Sequence, residues 1–211
     1  MNILEKINIK PYTYEKFKNI IECNNYGIEF RQTEMARSFS PCHNERIHKN
    51  VHILPEFHFN IIDLQRDEIK KELFLFSSNA TAISFFQNEQ HRNYSNAIFL
   101  IISNKYDMRY LDFIKSKFPF IVHLYLVFPN NIYGFIDDIK TLLYWKNIKV
   151  ISFSLIENIL TIRFNNEVIS IDKNRLNISS FRKVCRMRFP PYSICKTPLI
   201  DFKYLFNISK T

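Results

Sequence analysis

Three short apolar runs, each followed by a helical pattern, restrict what this chain can fold into more than any other feature. Glu72-Leu73-Phe74-Leu75-Phe76, Ala97-Ile98-Phe99-Leu100-Ile101-Ile102 and the stretch from Phe120 to Phe128 are nearly uninterrupted hydrophobic segments. Runs of this length suit strands covered on both faces, as in a parallel sheet. The spacers carry helical spacing: Asn79 to about Asn88, Tyr106 to Lys117, and a third from Pro129-Asn130-Asn131 to about Lys146. Apolar runs alternating with such spacers predict right-handed strand–helix–strand units. A further run at 148–153 adds a fourth core strand. The expected fold class is therefore α/β, a mainly parallel sheet of about four strands. Open sheets of this kind bind ligands beyond the carboxyl ends of their strands. Here those ends are Ser77-Ser78, Ser103-Asn104 and Val127 to Asn131, and none carries a charge.

The flanks read as additions to this core. Residues 1–10 read as an edge strand. Tyr14, Phe17, Ile20 and Ile21 predict a helix over 12–24, with Gly27 as the residue beyond its C-terminus. A strand is expected at 28–31, polar irregular chain at 33–50, a short strand at 51–54 and a loop from Pro55 to Lys71. Beyond the core, 159–164 and 168–171 flank Asn165-Asn166-Glu167 and predict a β-hairpin. Ser179-Ser180 can cap a helix running to about Arg188, with Phe181, Val184 and Cys185 on one face and Arg182, Lys183 and Arg186 on the other. Pro190-Pro191 stops it. The organisation expected is an N-terminal helix–strand extension (1–71), an α/β core (72–153) and a C-terminal hairpin with a basic helical segment (154–211), all in one continuous unit.

The formal net charge is +9, and it is unevenly placed. Between Lys173 and Lys196 stand Lys173, Arg175, Arg182, Lys183, Arg186, Arg188 and Lys196, with no acid among them. A localised basic stretch is the electrostatic footprint of nucleic acid or another polyanion. A solvated helix face gives the same pattern, and composition does not separate the two. The chain holds 21 Phe and 11 Tyr against 2 Gly. The excess of Phe, Ile, Tyr, Asn and Lys matches codon bias in an AT-rich genome, so most of these rings are expected as core filler. No run of 18 apolar residues exists, so no membrane span is expected. The start, Met1 to Lys6, lacks the apolar stretch of a signal peptide. A cytoplasmic protein with reduced cysteines is expected.

The motifs of common chemistries are missing. Two glycines cannot supply a GxxxxGK[ST] or GxGxxG loop, and no GxSxG occurs. Cys42, His43, His48, His52 and His58 cluster in sequence but lack the paired spacing of a zinc site. They read as loop and strand-surface residues, Cys185 reads as a buried thiol, and neither metal nor cofactor is expected.

A series of motifs nevertheless resembles a known domain. Tyr26-Gly27-Ile28-Glu29-Phe30-Arg31 and Lys49-Asn50-Val51-His52-Ile53-Leu54 are followed by Phe76-Ser77-Ser78, then Thr81 and Ile83-Ser84-Phe85. Next comes His123-Leu124-Tyr125-Leu126-Val127-Phe128-Pro129-Asn130-Asn131-Ile132-Tyr133-Gly134, and Ile200-Asp201-Phe202-Lys203-Tyr204-Leu205 lies near the end. In order and spacing these resemble the Toprim region of primase-like proteins carried by Bacteroidetes mobile elements. The resemblance implies a Toprim-like, Rossmannoid sheet. It also implies a metal site built from a glutamate after the first strand and two aspartates after the third. Here the glutamate position is Ser77 and the aspartate of the following helix is Thr81. The later aspartates fall on Val127 and Pro129, or in the other register on Pro129 and Asn131. With Ser78, Asn130 and Gly134 these positions form a vestigial site that no carboxylate serves. The expected function is a degenerate, non-catalytic Toprim-like protein that binds DNA or RNA as an accessory of a mobile element or phage. The alternatives are a scaffold or inhibitor that binds a nucleic-acid enzyme, and a nuclease whose acids have moved to Glu72, Asp107, Asp137 or Asp138.

Overall fold

Pro11 opens the first helix, α1 (Pro11–Phe17), where its fixed φ suits a first turn whose N–H groups have no partner within the helix. The computed structural model describes residues 9–24, 27–48, 51–65, 68–89, 91–103 and 108–196. They fall into two compact units, one drawn from Met1–Tyr106 and the other from Asp107–Pro198. Both units mix helices with parallel and antiparallel strands. The expected strand at 1–10 lies largely, and the motif at 200–205 wholly, outside the described residues.

In the first unit, α1 stops at Phe17 and the chain turns directly into β1 (Ile21–Asn24). The helix expected over 12–24 is thus halved, because Ile20 and Ile21 are buried by a sheet, not by a third helical turn. Then follow β2 (Gly27–Phe30), α2 (Glu34–Phe39), β3 (Glu45–His48) and β4 (Val51–Ile53), so the stretch read as irregular holds a helix and a strand. The four strands pair as an antiparallel meander, Cys23 beside Ile28, Ile28 beside Ile47 and Ile47 beside His52. Gly27 is no helix cap. It lies within β2, where a Cβ would stand 2.0 Å from the Ile47 carbonyl oxygen.

The region read as a loop holds another strand, β5 (Phe59–Ile62), whose apolar pattern is broken by the buried Asn60. The apolar runs then appear as expected: β6 (Glu72–Phe76), α3 (Asn79–Asn88) and β7 (Ala97–Ile102). β6 and β7 are parallel, with Phe74 beside Phe99, while β5 pairs antiparallel on the other side of β7. Phe99 centres the core, its ring 5.1 to 5.3 Å from those of Phe74, Phe76 and Tyr94 and 6.3 Å from Phe17 and Phe86. Most described phenylalanines of this unit are core filler, as expected, though Phe57 is exposed.

The second unit begins with α4 (Met108–Lys117), β8 (His123–Val127) and α5 (Ile132–Trp145). β8 starts three residues later than its apolar run, because Phe118 to Ile121 form a turn closed by Ile121 N donating to Phe118 O (3.3 Å). Then come β9 (Val150–Ile156), β10 (Ile159–Phe164), β11 (Glu167–Asp172), a single 3₁₀ turn (Lys173–Arg175), α6 (Ile178–Cys185) and β12 (Tyr192–Ile194). The hairpin of β10 and β11 is as expected, with Ile162 beside Ile169. β12 lies parallel to β8, with Tyr192 beside Leu124 and Ile194 beside Leu126.

The run at 148–153 is not a parallel core strand. It belongs to β9, which pairs antiparallel with β10 and leaves Ile151, Leu155 and Ile156 exposed. The reason is local: Glu157-Asn158 joins β9 to β10, with Glu157 at φ 55°. A two-residue link with a left-handed residue makes a hairpin, whereas a parallel neighbour needs a crossover of a dozen residues or more.

Candidate nucleic-acid interface

The basic segment forms three short pieces of the second unit. Lys173 and Arg175 are the first and last residues of the 3₁₀ turn, whose start is capped by Asp172 accepting from Asn174 N at 2.7 Å. α6 is capped by Asn177, whose Oδ1 accepts from Ser180 N at 2.8 Å, not by Ser179 or Ser180. Phe181 is buried between Phe164 and Phe189, with ring centroids at 6.2 and 6.0 Å. Val184 does not share its inward role: it is 51 % exposed. Cys185 is half-buried, and burial pushes its thiol pKa up. The helix ends at Cys185, short of the expected Arg188, because Arg186 turns left-handed (φ 53°) and its N–H closes on Arg182 O.

Lys173, Arg175, Arg182, Lys183, Arg186 and Arg188 are all exposed. Among the described residues, none of the six forms a salt bridge with a carboxylate. Arg182 makes one polar contact, Nη1 donating to the Tyr192 hydroxyl at 3.3 Å. Lys196 behaves differently. Its ammonium donates to Asp138 Oδ2 and to Gly134 O (3.3 Å), and it sits 4.4 Å from the Phe135 ring centroid. It belongs to the interior of its unit, not to the exposed group.

Two hydrogen bonds place the cations within the unit. Lys146, just past the last turn of α5, donates from Nζ to Arg188 O at 2.7 Å. Leu124 N, at the start of β8, donates to Pro191 O at 3.1 Å. Arg188 therefore lies at the amino end of β8, away from the carboxyl end where the sequence placed the chemistry.

At the carboxyl ends, polar side chains serve the backbone. In the first unit Ser77 is half-buried, and Ser78 caps α3 by accepting from Thr81 N at 3.0 Å, with the Thr81 hydroxyl 2.8 Å from its own. In the second unit Asn130 is exposed, and Asn131 caps α5 by accepting from Gly134 N at 2.9 Å. The chain folds so tightly there that a Cβ on Gly134 would stand 2.0 Å from the Pro129 carbonyl oxygen. Gly134→Ala is therefore expected to cost about 1–3 kcal/mol through forced backbone movement, read as a lower urea midpoint at unchanged slope.

The relocated-acid alternative meets specific obstacles. Glu72 pairs with Arg92 at 3.1 Å, and Asp107 lies outside the described residues. Asp137 and Asp138, on α5, are both buried. Burial pushes each pKa up to about 7, opposed at Asp137 by Lys140 and Lys196, and at Asp138 by Lys196. The Oδ1 of Asp138 has no hydrogen-bond partner.

The histidines of the first unit are not surface residues as a group. His43 and His48 are exposed, but His58 is buried and His52 nearly so, and both face the fully buried Glu45. Glu45 accepts from His52 Nε2 (2.8 Å), Asn79 N (2.6 Å), Asn79 Nδ2 (2.9 Å) and Ala80 N (3.2 Å). Its carboxylate thus seals the N-terminus of α3, where orphan N–H groups and the helix dipole favour an anion. Burial alone would raise its pKa. The His52 hydrogen bond, the two histidines and the Asn79 N–H outweigh that and lower it. Asn60 donates to Asn79 Oδ1 at 3.0 Å, so the Asn79 amide must point its NH₂ at Glu45 and at His58 Nε2 (2.7 Å). His58 is then an acceptor at Nε2 and carries its proton on Nδ1. Burial keeps its pKa low. Cys42 Sγ lies 3.7 Å from that Nδ1 and beside an open cavity of about 570 Å³. With the proton already on Nδ1, His58 cannot act as its base, and burial raises the thiol pKa. The cluster fastens the meander to α3 and does not make a nucleophile.

Comparison with family models, with curated proteins and with solved structures finds no match. No described helix is long and apolar enough to cross a membrane, and among the described residues no three His, Cys, Asp or Glu side chains could share a metal ion.

Proposed function

We propose that this chain is a non-catalytic, Toprim-like nucleic-acid-binding accessory protein of a mobile element or phage, and that its second unit carries the binding surface. The observation behind the reading is the exposed set Lys173, Arg175, Arg182, Lys183, Arg186 and Arg188, none of them salt-bridged to a carboxylate among the described residues. A solubilising surface usually intersperses both signs; the run from Lys173 to Lys196 holds no acid, and Asp172 at its edge is engaged in capping the 3₁₀ turn. The Toprim-like part of the reading rests on the serial motifs and on the parallel pairs β6–β7 and β8–β12. Its non-catalytic character rests on Ser77, Thr81, Pro129 and Asn131 standing where hard-cation carboxylates would be needed.

Phosphate contacts carry no sequence information, so binding is expected to be weakly sequence-specific. Affinity should fall with salt at a log–log slope of about −0.9 per phosphate neutralised on duplex DNA. Lys183→Ala with Arg188→Ala should reduce that slope by roughly two and change stability by less than about 0.5 kcal/mol. Filter binding across a salt series on both proteins tests this. A wild type that binds nothing at low salt, or a double variant with an unchanged slope, would favour a protein partner that docks on the same cations.

A further inference from the structure

We infer that the amino end of the β8–β12 strand pair is a single-strand-selective nucleic-acid site in which Phe120 stacks on a base; this rests on the nucleic-acid reading above. Phe120 and Val122 are 63 % and 64 % exposed. Lone exposed apolar residues are ordinary on protein surfaces, but these two lie at the amino end of β8, the end to which separate segments bring cations. Lys117 ends α4 three residues before Phe120 and is exposed. Lys146 reaches across from the end of α5 to the carbonyl of Arg188. The register of Tyr192 beside Leu124, with Leu124 N on Pro191 O, brings the start of β12, four residues after Arg188, to the start of β8, three residues after Phe120. Arg182 joins the same end through the Tyr192 hydroxyl. No acid lies in 117–123 or 186–196.

The backbone that carries the ring is also constrained. Phe118 to Ile121 form a turn with Pro119 and Phe120 at its two central positions. Proline at the first of these presets the backbone, so binding has less backbone freedom to remove. An exposed ring on a constrained turn, at the same strand end as cations able to bind phosphates, is the arrangement that stacks an unpaired base and follows its backbone. Duplex DNA hides the faces of its bases and can use only the cations.

The test is fluorescence anisotropy with short oligo-dT and oligo-U strands and a duplex of the same length, at low salt, on wild type, Phe120→Ala, Phe120→Trp and the Lys183→Ala/Arg188→Ala protein. Wild type should prefer a single strand to the duplex. Phe120→Ala should weaken single-strand binding by roughly 5- to 150-fold, the scale of one lost stacked base. It should leave the salt slope and the duplex affinity unchanged, and tryptophan should restore single-strand binding. The double cation variant should lose salt slope on every probe. Equal or tighter duplex binding, or a Phe120→Ala protein that binds single strands like wild type, would overturn this inference and leave the polyanion surface standing. No binding to any probe would instead remove the nucleic-acid reading itself.

Discussion

Glu45→Ala is expected to destabilise the first unit by about 3–5 kcal/mol, the range for breaking a buried charged network by removing one partner. The carboxylate is fully buried and receives two helix N–H groups, the Asn79 amide and His52. Alanine would leave all four donors in the interior without an acceptor. Against a typical total of about 5–15 kcal/mol, a loss of this size brings a domain near its limit. Glu29→Ala, on the neighbouring strand and partly exposed, is the control. Its carboxylate meets Asn44 and Arg46 at the surface, where such contacts contribute about 1 kcal/mol or less. Urea unfolding followed by far-ultraviolet circular dichroism measures both, and amide exchange at Asn79 and Ala80 should accelerate in the Glu45 variant. A loss no larger than that of Glu29→Ala would show that the meander is held by its apolar contacts alone.

The two units should respond to pH with opposite sign. His58 stays neutral when folded, because burial lowers its pKa from 6.5. As pH falls through about 6.5 the unfolded chain takes up a proton that the folded chain refuses, so the first unit loses stability. Glu45, with a lowered folded pKa, adds to the loss at still lower pH. Asp137 and Asp138 work the other way. Unfolded they ionise near 3.8, and folded near 7, because burial penalises their charge. Between those values the folded chain holds more protons, so the second unit loses stability as pH rises from 4 to 7. One carboxyl shifted this far corresponds to roughly 4 kcal/mol; as the two are adjacent and coupled, their effects do not simply add. Trp145, the single tryptophan, ends α5 and reports this unit by fluorescence. Its urea midpoint should rise between pH 8 and pH 5. Asp137→Asn should raise the midpoint at pH 8 and flatten the profile. A Trp145 midpoint independent of pH in the wild type would mean that the pair is charged and fully compensated by Lys140 and Lys196.

Where the reading of the sequence held, the reason was local. The runs at 72–76 and 97–102 are buried on both sides, and Asn79–Asn88 is a helix. The hairpin at 159–172 could be seen because its strands alternate and its turn residues, Asn165 and Asn166, favour left-handed backbone. Where it failed, a partner distant in sequence had decided the matter. Asn60 makes β5 look like a loop, yet its amide is satisfied by Arg31 O and Asn79 Oδ1. Ile20 and Ile21 continue a helical pattern, yet Ile21 pairs with Phe30. For β9, the apolar content was visible and the direction was not, because Glu157 accepts a turn conformation that its type rarely adopts.

The candidate surface divides in the same way. The sequence by itself determined which elements carry the charge: seven cations without an acid between Lys173 and Lys196, and no carboxylate at Ser77, Thr81, Pro129 or Asn131. Charge and the capacity to hold a cation are properties of side-chain type, so they need no fold to be read. Only the tertiary structure decided that Lys196 turns inward to Asp138, that Val184 faces solvent, and that Phe120, Lys146 and Arg188 come from three segments to one end of a strand pair. It also decided that Glu45, His58 and Asn79, up to 34 positions apart, close on one another. Such groupings depend on which strands pair and in which register, and that is settled by burial of the whole core, which no short stretch of sequence contains.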